Sequence, residues 1–523
     1  VRSRGLGDVY KRQSLTLFFA QSARSELNLT TATIDDIQRA VGEGLLTYED
    51  LCEKYLQRIA AFELSGPKLH SIISINPHWR QEAKLLDRER QTNGIRGPLH
   101  GIPIAVKDNI DTLGIQNSGG AIGLANNFAP DDAFVIKQLK KGGAIIFLKT
   151  NLSEFASGSP GLPGASTLGG QPRNPYNLRR HSDGSSSGTG SSLAAVFAVS
   201  GLGTETGSSV RGPSSANNLV GLAPTEGLIS RDGVIPLSTT LDRVGVMARN
   251  VYDVAVTLNY TTGVDPADEI TSLSDGKLNP EPYQSFLDKA SLDGARLGVV
   301  SELFVEDDPV CAEAVSIVKD AVADCEANGS TIVEVNTGYT DLMDQLSLSN
   351  ITPTEIGPAL ESYFGSLDES YGVKTLEQFY KTGGFVIGKW ERYENALASV
   401  SNFDSPDYKE HVQRRKEMRS VLVDLLNDND LDALVYIHNN YPSELVNEPS
   451  TYTKIRLSSV SGLPAVVVPA GITALGQPVA VEFLGRAFDE AAILSLAYSY
   501  EQSTGHRTLP PSTPPLPSDY VSR

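Results

Sequence analysis

The sequence predicts an α/β fold: a single large domain built on a twisted, mixed and largely parallel central sheet, with helices covering both faces. Short apolar runs alternate with amphipathic stretches along the chain, as residues 102–106, 132–142 and 144–148 illustrate. The 523 residues contain no internal repeat and no apolar run long enough to span a bilayer. These observations favour one domain with a large core over several small domains.

The N-terminal part of the predicted domain begins with two helices. Residues 33–41 and 47–62 each start with a Thr-x-x-Asp capping box, in which two side chains satisfy backbone N–H groups at the helix start. A strand and a charged helix follow at 69–75 and 81–91. The next apolar run, 102–106, is bounded by Gly and Pro and is therefore predicted as a buried strand, with Lys107 at its end.

Residues 157–181 are rich in Gly, Pro, Ser and Asn and show no hydrophobic period, so they are predicted to form a long functional loop. A buried helix of small residues at 193–199 and a strand at 202–206 come next. In the remainder, strands are predicted at 295–300, 432–437, 465–470 and 479–483, and helices at 310–327, 376–398, 414–426 and 489–504.

The two ends of the chain are predicted to lie outside the domain, which covers residues 33–508. Residues 1–32 combine a basic leader that lacks an initiating Met, interpreted as non-native, with a short apolar run, and are predicted to be disordered. The run at 15–23 resembles the end of a secretory signal peptide, and Asn-x-Ser/Thr sequons occur at Asn28, Asn151, Asn259, Asn328 and Asn350. We therefore expect a secreted or extracytoplasmic glycoprotein, with a cytoplasmic location as the alternative. The tail, 509–523, is Pro-rich and predicted to be extended.

Composition disfavours several classes of partner. Lys and Arg number 44 against 63 Asp and Glu, and the net charge of −19 argues against binding to nucleic acid or stable association with an anionic membrane. The three cysteines, Cys52, Cys311 and Cys325, lack zinc-binding spacing and are predicted to be buried, inert thiols. On a helix over 310–327, Cys311 and Cys325 would stand about 21 Å apart, too far for a disulfide. No metal or organic cofactor is expected.

Chemistry is expected in residues 183–211, where two Ser/Gly clusters, 184–188 and 206–209, flank an apolar segment. Glycine lets backbone N–H groups approach a ligand, and serine supplies a nucleophile. A phosphate-binding P-loop requires a lysine, and none occurs between residues 156 and 210. Residues 201–207 miss the dinucleotide-binding GxGxxG pattern by one position, so both nucleotide interpretations fail.

A third interpretation is the nucleophile elbow of α/β-hydrolases, because residues 184–188 match G-x-S-x-G with Ser186 as the attacking residue. That elbow needs a strand directly before it, and residues 174–181 predict none. One of the histidines would also have to complete the triad, and no pattern selects among His411, His438 and His506.

A set of separate motifs in a fixed order resembles the amidase signature family over roughly residues 34–507. They are GPLHGIPIAVKDNIDT at 97–112, KTNLSEFA at 149–156, GSSSG at 184–188, GTETGSSVR at 203–211, VGLAPT at 220–225, GLPAVVVPAG at 462–471 and FLGRAFDEAAILSLAYSYEQ at 483–502. The segments GGQPRNPY and GLISRDGVIPLS look most like the peptide amidase branch. The resemblance implies the amidase signature fold and a serine amidase of the peptide amidase or fatty acid amide hydrolase kind, acting on a small-molecule amide.

The resemblance also implies a catalytic triad, with Lys107 as the base, Ser185 as a bridge on a cis peptide bond and Ser209 as the nucleophile. A serine hydroxyl is a weak nucleophile that needs a base within hydrogen-bond reach, and lysine serves only when burial keeps it neutral. The implied oxyanion hole consists of the backbone N–H groups of Thr206, Gly207, Ser208 and Ser209. Supporting roles are implied for Ser186, Thr204, Arg211 and Asp242.

Some positions depart from the family pattern. Relatives usually carry Gly where this chain has Ser208, and a serine with positive φ there would be strained by roughly 1 kcal/mol or more. Asp183 and Ser187 also replace smaller residues. Three hypotheses therefore stand: an amide hydrolase, an amidotransferase-type subunit that supplies ammonia in a complex, and a relative impaired at Ser208. The secretory-like N-terminus argues against tRNA chemistry, and peptide amides, fatty acid amides, aryl amides and carbamates all remain open as substrates.

Overall fold

A computed structural model describes residues 26–522 except 160–161, 307–308, 368–371, 401–404, 440–442, 447 and 449–453. An 11-stranded sheet runs through this part of the chain. In spatial order its strands are Thr331–Val335, Arg296–Val300, Ala433–Ile437, Pro478–Leu484, Ala465–Ile472, Val220–Ala223, Arg243–Ala248, Ser200–Glu205, Pro103–Lys107, Ile145–Thr150 and Ile72–Ile75.

The sheet is mixed, as predicted, but the predicted predominance of parallel pairing is wrong for the described strands. Parallel pairs occur in two groups, one around Arg296–Val300 and one around Pro103–Lys107. The strands between these groups pair in antiparallel fashion. One cause is the short connection at 473–477, because a hairpin of that length permits only antiparallel pairing of Ala465–Ile472 with Pro478–Leu484.

Helices and loops cover both faces of the sheet. Every residue of Pro103–Lys107, Ile145–Thr150, Ser200–Glu205 and Arg243–Ala248 is buried, and alternate side chains of a strand point to opposite faces. The α-helices are Ile34–Gly42, Tyr48–Phe62, Trp79–Asn93, Phe134–Lys141, Ser187–Ala194, Arg211–Ala216, Val251–Leu258, Pro309–Ala327, Leu342–Leu348, Thr352–Ser366, Leu376–Thr382, Trp390–Ser399, Pro406–Asp428, Leu457–Ser461 and Glu490–Thr504.

Both predicted capping boxes form, and they start the helices Ile34–Gly42 and Tyr48–Phe62. Two other helix predictions need correction. The helix predicted at 193–199 lies earlier, at Ser187–Ala194, where small side chains permit close packing: a Cβ on Gly188 would stand 2.3 Å from the carbonyl oxygen of Ser71.

The helix predicted at 376–398 is two helices, Leu376–Thr382 and Trp390–Ser399. The first ends at Gly383, whose φ of 62° is left-handed and costs glycine little. Residues 177–181, predicted as loop, form the strand Asn177–His181, which pairs with Arg173–Asn174 in a separate two-stranded sheet. The local composition misled because this hairpin packs outside the main sheet and needs no apolar run.

The boundaries predicted for the two ends are also corrected where the structure describes them. Residues 26–32 are not disordered, and the tail is not simply extended, because Glu26–Asn28 pairs in antiparallel fashion with Tyr520–Ser522. The fully buried Arg58 holds the tail through an ion pair with Asp519 and a hydrogen bond of 3.1 Å to the carbonyl of Thr513. The predicted leader and the apolar run at 15–23 lie outside the described residues.

Of the other predictions about single residues, the one for the cysteines agrees with the structure and the one for the sequon at Asn151 does not. All three cysteines are buried, as predicted, and burial raises the pKa of the Cys325 thiol to about 12. Asn151, one of the sequons, is fully buried and its amide donates to the carbonyl of His70, so it cannot accept a glycan in the folded protein. None of the helices in the described ranges has both the length and the apolar character needed to cross a lipid bilayer.

Candidate active site

A pocket of about 300 Å³ opens where the strand Ser200–Glu205 ends. Both Ser/Gly clusters reach it, through residues 183–185 and 206–209. Ala156 and the start of the loop predicted at 157–181 also line it, through Ser157 to Ser159 and Pro163. The remaining lining residues are Ser153, His181, Leu237, Asn350, Thr352, Pro353, Arg392, Glu444, Lys454 and Arg456.

Lys107 is the last residue of its strand and is completely buried. Its Nζ lies 2.7 Å from Ser185 Oγ, 2.7 Å from Thr204 Oγ1 and 3.2 Å from the carbonyl oxygen of Thr204. Burial lowers the pKa of Lys107 to about 7, although the charges of Asp242 and Glu205 act in the opposite direction. An amine with that pKa is substantially neutral near pH 7 and can accept a proton.

Thr204 belongs to this polar network, as the resemblance implied, and is not an ordinary strand threonine. Its Oγ1 also accepts a hydrogen bond of 3.1 Å from Asn109 Nδ2. The backbone and side chain of Thr204 together hold two sides of the Lys107 amine, so the third side faces Ser185. Thr204 therefore acts as a positioning residue for the lysine.

Ser185 and Ser186 directly precede the helix Ser187–Ala194, and the peptide bond between Gly184 and Ser185 is cis. Ser186 is fully buried, and its hydroxyl bonds to the backbone of Thr204 instead of facing the pocket. The strand before the G-x-S-x-G segment lies outside the central sheet. His438 bonds to Glu482 and His506 contacts Asp324, and neither they nor His411 line the pocket. The α/β-hydrolase interpretation therefore fails.

The turn Thr206 to Ser209 lines the pocket with all four of its residues. The four N–H groups of this turn donate to no acceptor within the described ranges, whereas those of Val210 and Arg211 donate to Glu205 Oε2 at 3.0 and 3.1 Å. Consecutive unpaired N–H groups that line a cavity form a site for a developing negative charge. The turn therefore has the geometry expected of an oxyanion hole.

The strain expected at Ser208 is absent, because this residue does not have a positive φ. The left-handed residue is Asp183, with φ 59°. Its Oδ1 accepts a hydrogen bond of 2.6 Å from Gly184 N, a local contact that helps a short polar side chain to tolerate this conformation. The departure from the family pattern that affects the backbone therefore lies beside Ser185 and not beside Ser209.

Arg211 holds the turn from behind and is completely buried. Its guanidinium bonds to Glu205 at 2.8 Å, to Glu482 at 2.5 Å and to the carbonyl of Gly207 at 3.0 Å. Burial alone would raise the pKa of Glu205, but Arg211 and then Arg243 hold it below its ordinary value. The network is thus charged and fixes both ends of the 205–211 segment.

Asp242 supports the same turn from a different loop. Its Oδ1 accepts a hydrogen bond of 2.5 Å from Thr206 Oγ1, and its Oδ2 accepts from the backbone N–H groups of Leu237 and Ser238 at 2.7 and 3.0 Å. The loop at 237–242 is thereby tied to the first residue of the turn. The structure thus gives Asp242 hydrogen bonds to the turn, and its contribution to catalysis stays a prediction.

Ser209 lies at the end of the turn and is 9% exposed, enough to face the pocket with its side chain. Its carbonyl accepts a hydrogen bond of 3.2 Å from Ser186 N, which ties the two Ser/Gly clusters together. In the described part of the chain its hydroxyl does not hydrogen-bond to Ser185. Contacts of this kind often shorten only when substrate is bound.

The motifs gave no signal for several charged residues of the pocket. Lys454 forms an ion pair with Asp183, and His181 Nε2 stands 3.5 Å from Glu444 Oε2. Lys454, His181 and Glu444 come from segments in which the sequence marked no functional residue, and only the fold brings them together with Asp183. No group of three or more His, Cys, Asp or Glu side chains in the described ranges is arranged to hold a metal ion.

The comparisons with known proteins agree with this geometry. The family model for amidases matches residues 50–494. A probable amidase of Arabidopsis thaliana is 32% identical over 498 residues, covering 92% of this chain and 91% of that protein. A glutamyl-tRNA(Gln) amidotransferase subunit of Symbiobacterium thermophilum is 32% identical over 489 residues, covering 90% of this chain and 96% of that protein.

The X-ray structure of native peptide amidase from Stenotrophomonas maltophilia superposes on the chain with a TM-score of 0.82 at 33% identity, and the match covers 92% of this chain and 98% of that one. The predicted amidase signature fold is confirmed by this likeness. Since the family model and these relatives extend over most of its length, the chain belongs to the amidase signature family.

Proposed function

We propose that the protein is a serine amidohydrolase that cleaves the C–N bond of a carboxamide through an acyl-Ser209 intermediate, with Ser185 and Lys107 completing the triad. The observation that carries this proposal is a buried lysine 2.7 Å from Ser185 in the wall of a pocket that also contains Ser209 and four unpaired N–H groups. A base, a bridge, a nucleophile and an anion site thus occur together.

The contacts of Lys107 support its role as the base. A neutral amine has two N–H donors and one lone pair, and three oxygens surround Nζ. Two of them belong to Thr204 and accept the N–H groups. The lone pair then faces Ser185 Oγ, whose proton it can take.

The proposed reaction begins when Ser209 Oγ bonds to the carbonyl carbon. Its proton passes to Ser185 Oγ as the proton of Ser185 passes to Lys107 Nζ, so no charge accumulates on the bridge. The carbonyl oxygen becomes negative and is held by the N–H groups of the turn, a contribution worth about 3–4 kcal/mol per donor in comparable sites. The C–N bond then breaks, and the departing amine takes a proton back through Ser185. Water releases the acid by the same relay.

The substrate is proposed to be a linear carboxamide that loses ammonia or a small amine. The likeness to a peptide amidase and to a probable amidase supports this class. A pocket of about 300 Å³ stands at the small end of the range for ligand sites, which favours compact amides over long-chain ones.

The direct test is the variant Ser209→Ala, assayed by ammonia release from a panel of small amides. We expect a loss of roughly a thousandfold or more in kcat with the fold intact, because the nucleophile is absent. The matched control is Ser285→Ala, a surface serine whose hydroxyl bonds only to the carbonyl of Pro282. A fluorophosphonate probe should label the wild type and the control but not Ser209→Ala. Full activity or labelling of Ser209→Ala would refute the assignment.

A second candidate function is that of one subunit in an amidotransferase, which the 32% identity to a glutamyl-tRNA(Gln) amidotransferase subunit supports. The two candidates differ in their need for partners. Turnover of simple amides by the purified chain alone supports the hydrolase. Activity that appears only after co-purification with other subunits supports the alternative.

A further inference from the structure

Two arginines that line the pocket, Arg392 and Arg456, have no anionic partner among the residues that the structure describes. Neither guanidinium forms an ion pair or a hydrogen bond with a residue that the structure describes, and Arg456 Nε is buried without an acceptor. Arg392 lies on the helix Trp390–Ser399, and Arg456 directly precedes Leu457–Ser461. Both side chains line the same pocket, and burial, followed by the positive charges of Arg392 and Arg211, holds the pKa of Arg456 below its ordinary value.

Other charged groups at the pocket each have a charged or titratable partner close by. Lys454 pairs with Asp183, and His181 stands beside Glu444. Arg211, behind the turn, is neutralised by two buried glutamates. The chain as a whole carries a net charge of −19, yet among the described lining residues three cations, Lys454, Arg392 and Arg456, face two carboxylates, Asp183 and Glu444, and neither arginine pairs with either one.

An arginine that is half-buried without an anion loses part of its hydration and gains no ion pair in return. The planar guanidinium matches a carboxylate through two parallel hydrogen bonds. We propose that Arg392 and Arg456 form a subsite for a carboxylate of the substrate, so that the enzyme selects amides that bear a carboxylate over neutral amides. This inference rests on the amide hydrolysis proposed above and narrows its substrate class.

The position of Arg456 limits where that carboxylate lies. A Cβ placed on Gly207 would stand 3.4 Å from Arg456 Nε and 3.6 Å from its Cζ, so the guanidinium lies against the turn that leads to Ser209. A carboxylate bound there is a few bonds from the carbonyl under attack. Short monoamides of dicarboxylic acids have this spacing and fit a pocket of about 300 Å³.

The test compares substrates that differ in one group. Succinamate and glutaramate each carry one carboxamide and one carboxylate, and succinamide and glutaramide replace the carboxylate by a second, neutral carboxamide. Each diamide has two carboxamides that can react, so its kcat/KM is halved before the comparison. We then expect kcat/KM for the monoacid of each pair to exceed that for the diamide by at least about tenfold. Equal or faster turnover of the neutral diamides would overturn the inference.

Variants then assign the preference to the two arginines. Arg392→Met and Arg456→Met keep the side-chain length and remove the charge, and each should reduce the ratio of acid to diamide turnover by about fivefold or more. Arg456→Lys should restore part of that ratio, which a purely structural role would not predict. Arg39→Met, on the exposed side of the first helix, is the matched control. Variants that slow acid and diamide in equal proportion would contradict the assignment.

A binding measurement separates this inference from the proposed reaction. Glutarate is titrated calorimetrically into the full chain carrying Ser209→Ala, with and without Arg456→Met. Binding that the second substitution abolishes supports the subsite even if no amide is hydrolysed, in which case the proposed function alone has failed. Hydrolysis of amides without acid preference, together with no binding of glutarate at millimolar concentration, leaves the function standing and refutes the subsite.

Discussion

Replacing Lys107 by methionine is expected to inactivate the enzyme and, at the same time, to stabilise its fold at neutral pH. Burial lowers the pKa of this lysine from 10.5 to about 7. Between those two values the unfolded chain binds more protons than the folded chain, so the folding stability of the wild type rises with pH across this window. At pH 7 the buried lysine therefore costs about 4 kcal/mol, since one pH unit of pKa shift corresponds to about 1.4 kcal/mol.

Methionine removes this cost and fills a similar volume. It also leaves the oxygens of Ser185 and Thr204 without the amine as a hydrogen-bond partner. Such unpaired buried groups destabilise the folded state by about 1–3 kcal/mol, which offsets part of the gain. The net expectation at pH 7 is a gain on the order of 1–3 kcal/mol in the free energy of unfolding. This gain in stability should shrink as the pH rises and become a loss near pH 10.5. At that pH the lysine is largely neutral in the unfolded chain as well, so folding of the wild type no longer requires its deprotonation.

Urea denaturation of wild type and Lys107→Met at pH 7, 8.5 and 10 measures this difference, and amide turnover is followed on the same preparations. Lys84→Met, at an exposed position on the third helix, is the matched control. A stability difference between Lys107→Met and wild type that does not change with pH would refute the reasoning. Lys107 would then carry its proton in the folded state and could not act as the base.

Further predictions follow from the same contacts. In the wild type, kcat/KM is expected to rise with pH through a midpoint near 7 as Lys107 loses its proton, and this limb should disappear in the residual activity of Lys107→Ala; an unchanged limb in the variant would assign it to another group. Thr206→Val breaks the 2.5 Å hydrogen bond to Asp242, so we expect steady-state kinetics to show a fall in kcat of about tenfold and a smaller change in KM. A rise in KM of about tenfold with kcat unchanged would mean that the substitution does not affect the turn. Arg211→Met leaves Glu205 and Glu482 buried without their partner and should lower the free energy of unfolding by about 3–5 kcal/mol, and wild-type stability in urea would contradict this role. Asp519→Asn removes the partner of Arg58 and is expected to lower the melting temperature and to expose the C-terminal residues to protease, whereas an unchanged cleavage pattern would show that the tail is held by its strand alone.

The three residues proposed as the triad could be selected from the sequence because the family motifs carry them as local patterns, and Thr204 lies in one of the same motifs. The conformation at Ser208 was not predictable, because a backbone angle depends on how the turn is anchored. Arg211 and Asp242 anchor that turn through residues far away in the sequence. The sequence therefore identified a departure at Ser208 but could not show that Asp183 carries the left-handed backbone.

The pocket wall was the least predictable part of the site. Arg392 lies in a segment predicted only as a helix and Arg456 in a segment without a prediction, neither belongs to a motif, and nothing local marks an arginine that lacks a partner. Whether an arginine has a partner depends on all the charged groups around it in the folded protein. Lys454 in the same wall forms an ion pair with Asp183, and Arg211 nearby forms one with Glu205. Only the folded arrangement shows which cations remain unbalanced.

The sheet explains why distant motifs meet at one point. Pro103–Lys107 and Ser200–Glu205 are parallel neighbours in which Ile104 pairs with Ser200 and Val106 with Leu202, so their carboxyl ends lie at the same edge. Continuing that register places Lys107 beside Gly203 and Thr204, which is where its amine finds two of its three oxygen contacts. The segment that leads into the helix at Ser187 places Ser185 Oγ as the third oxygen contact of the amine. A one-residue slip between these two strands would point Lys107 to the opposite face and away from Ser185. The proposed relay therefore depends on strand register as much as on the identity of its three residues.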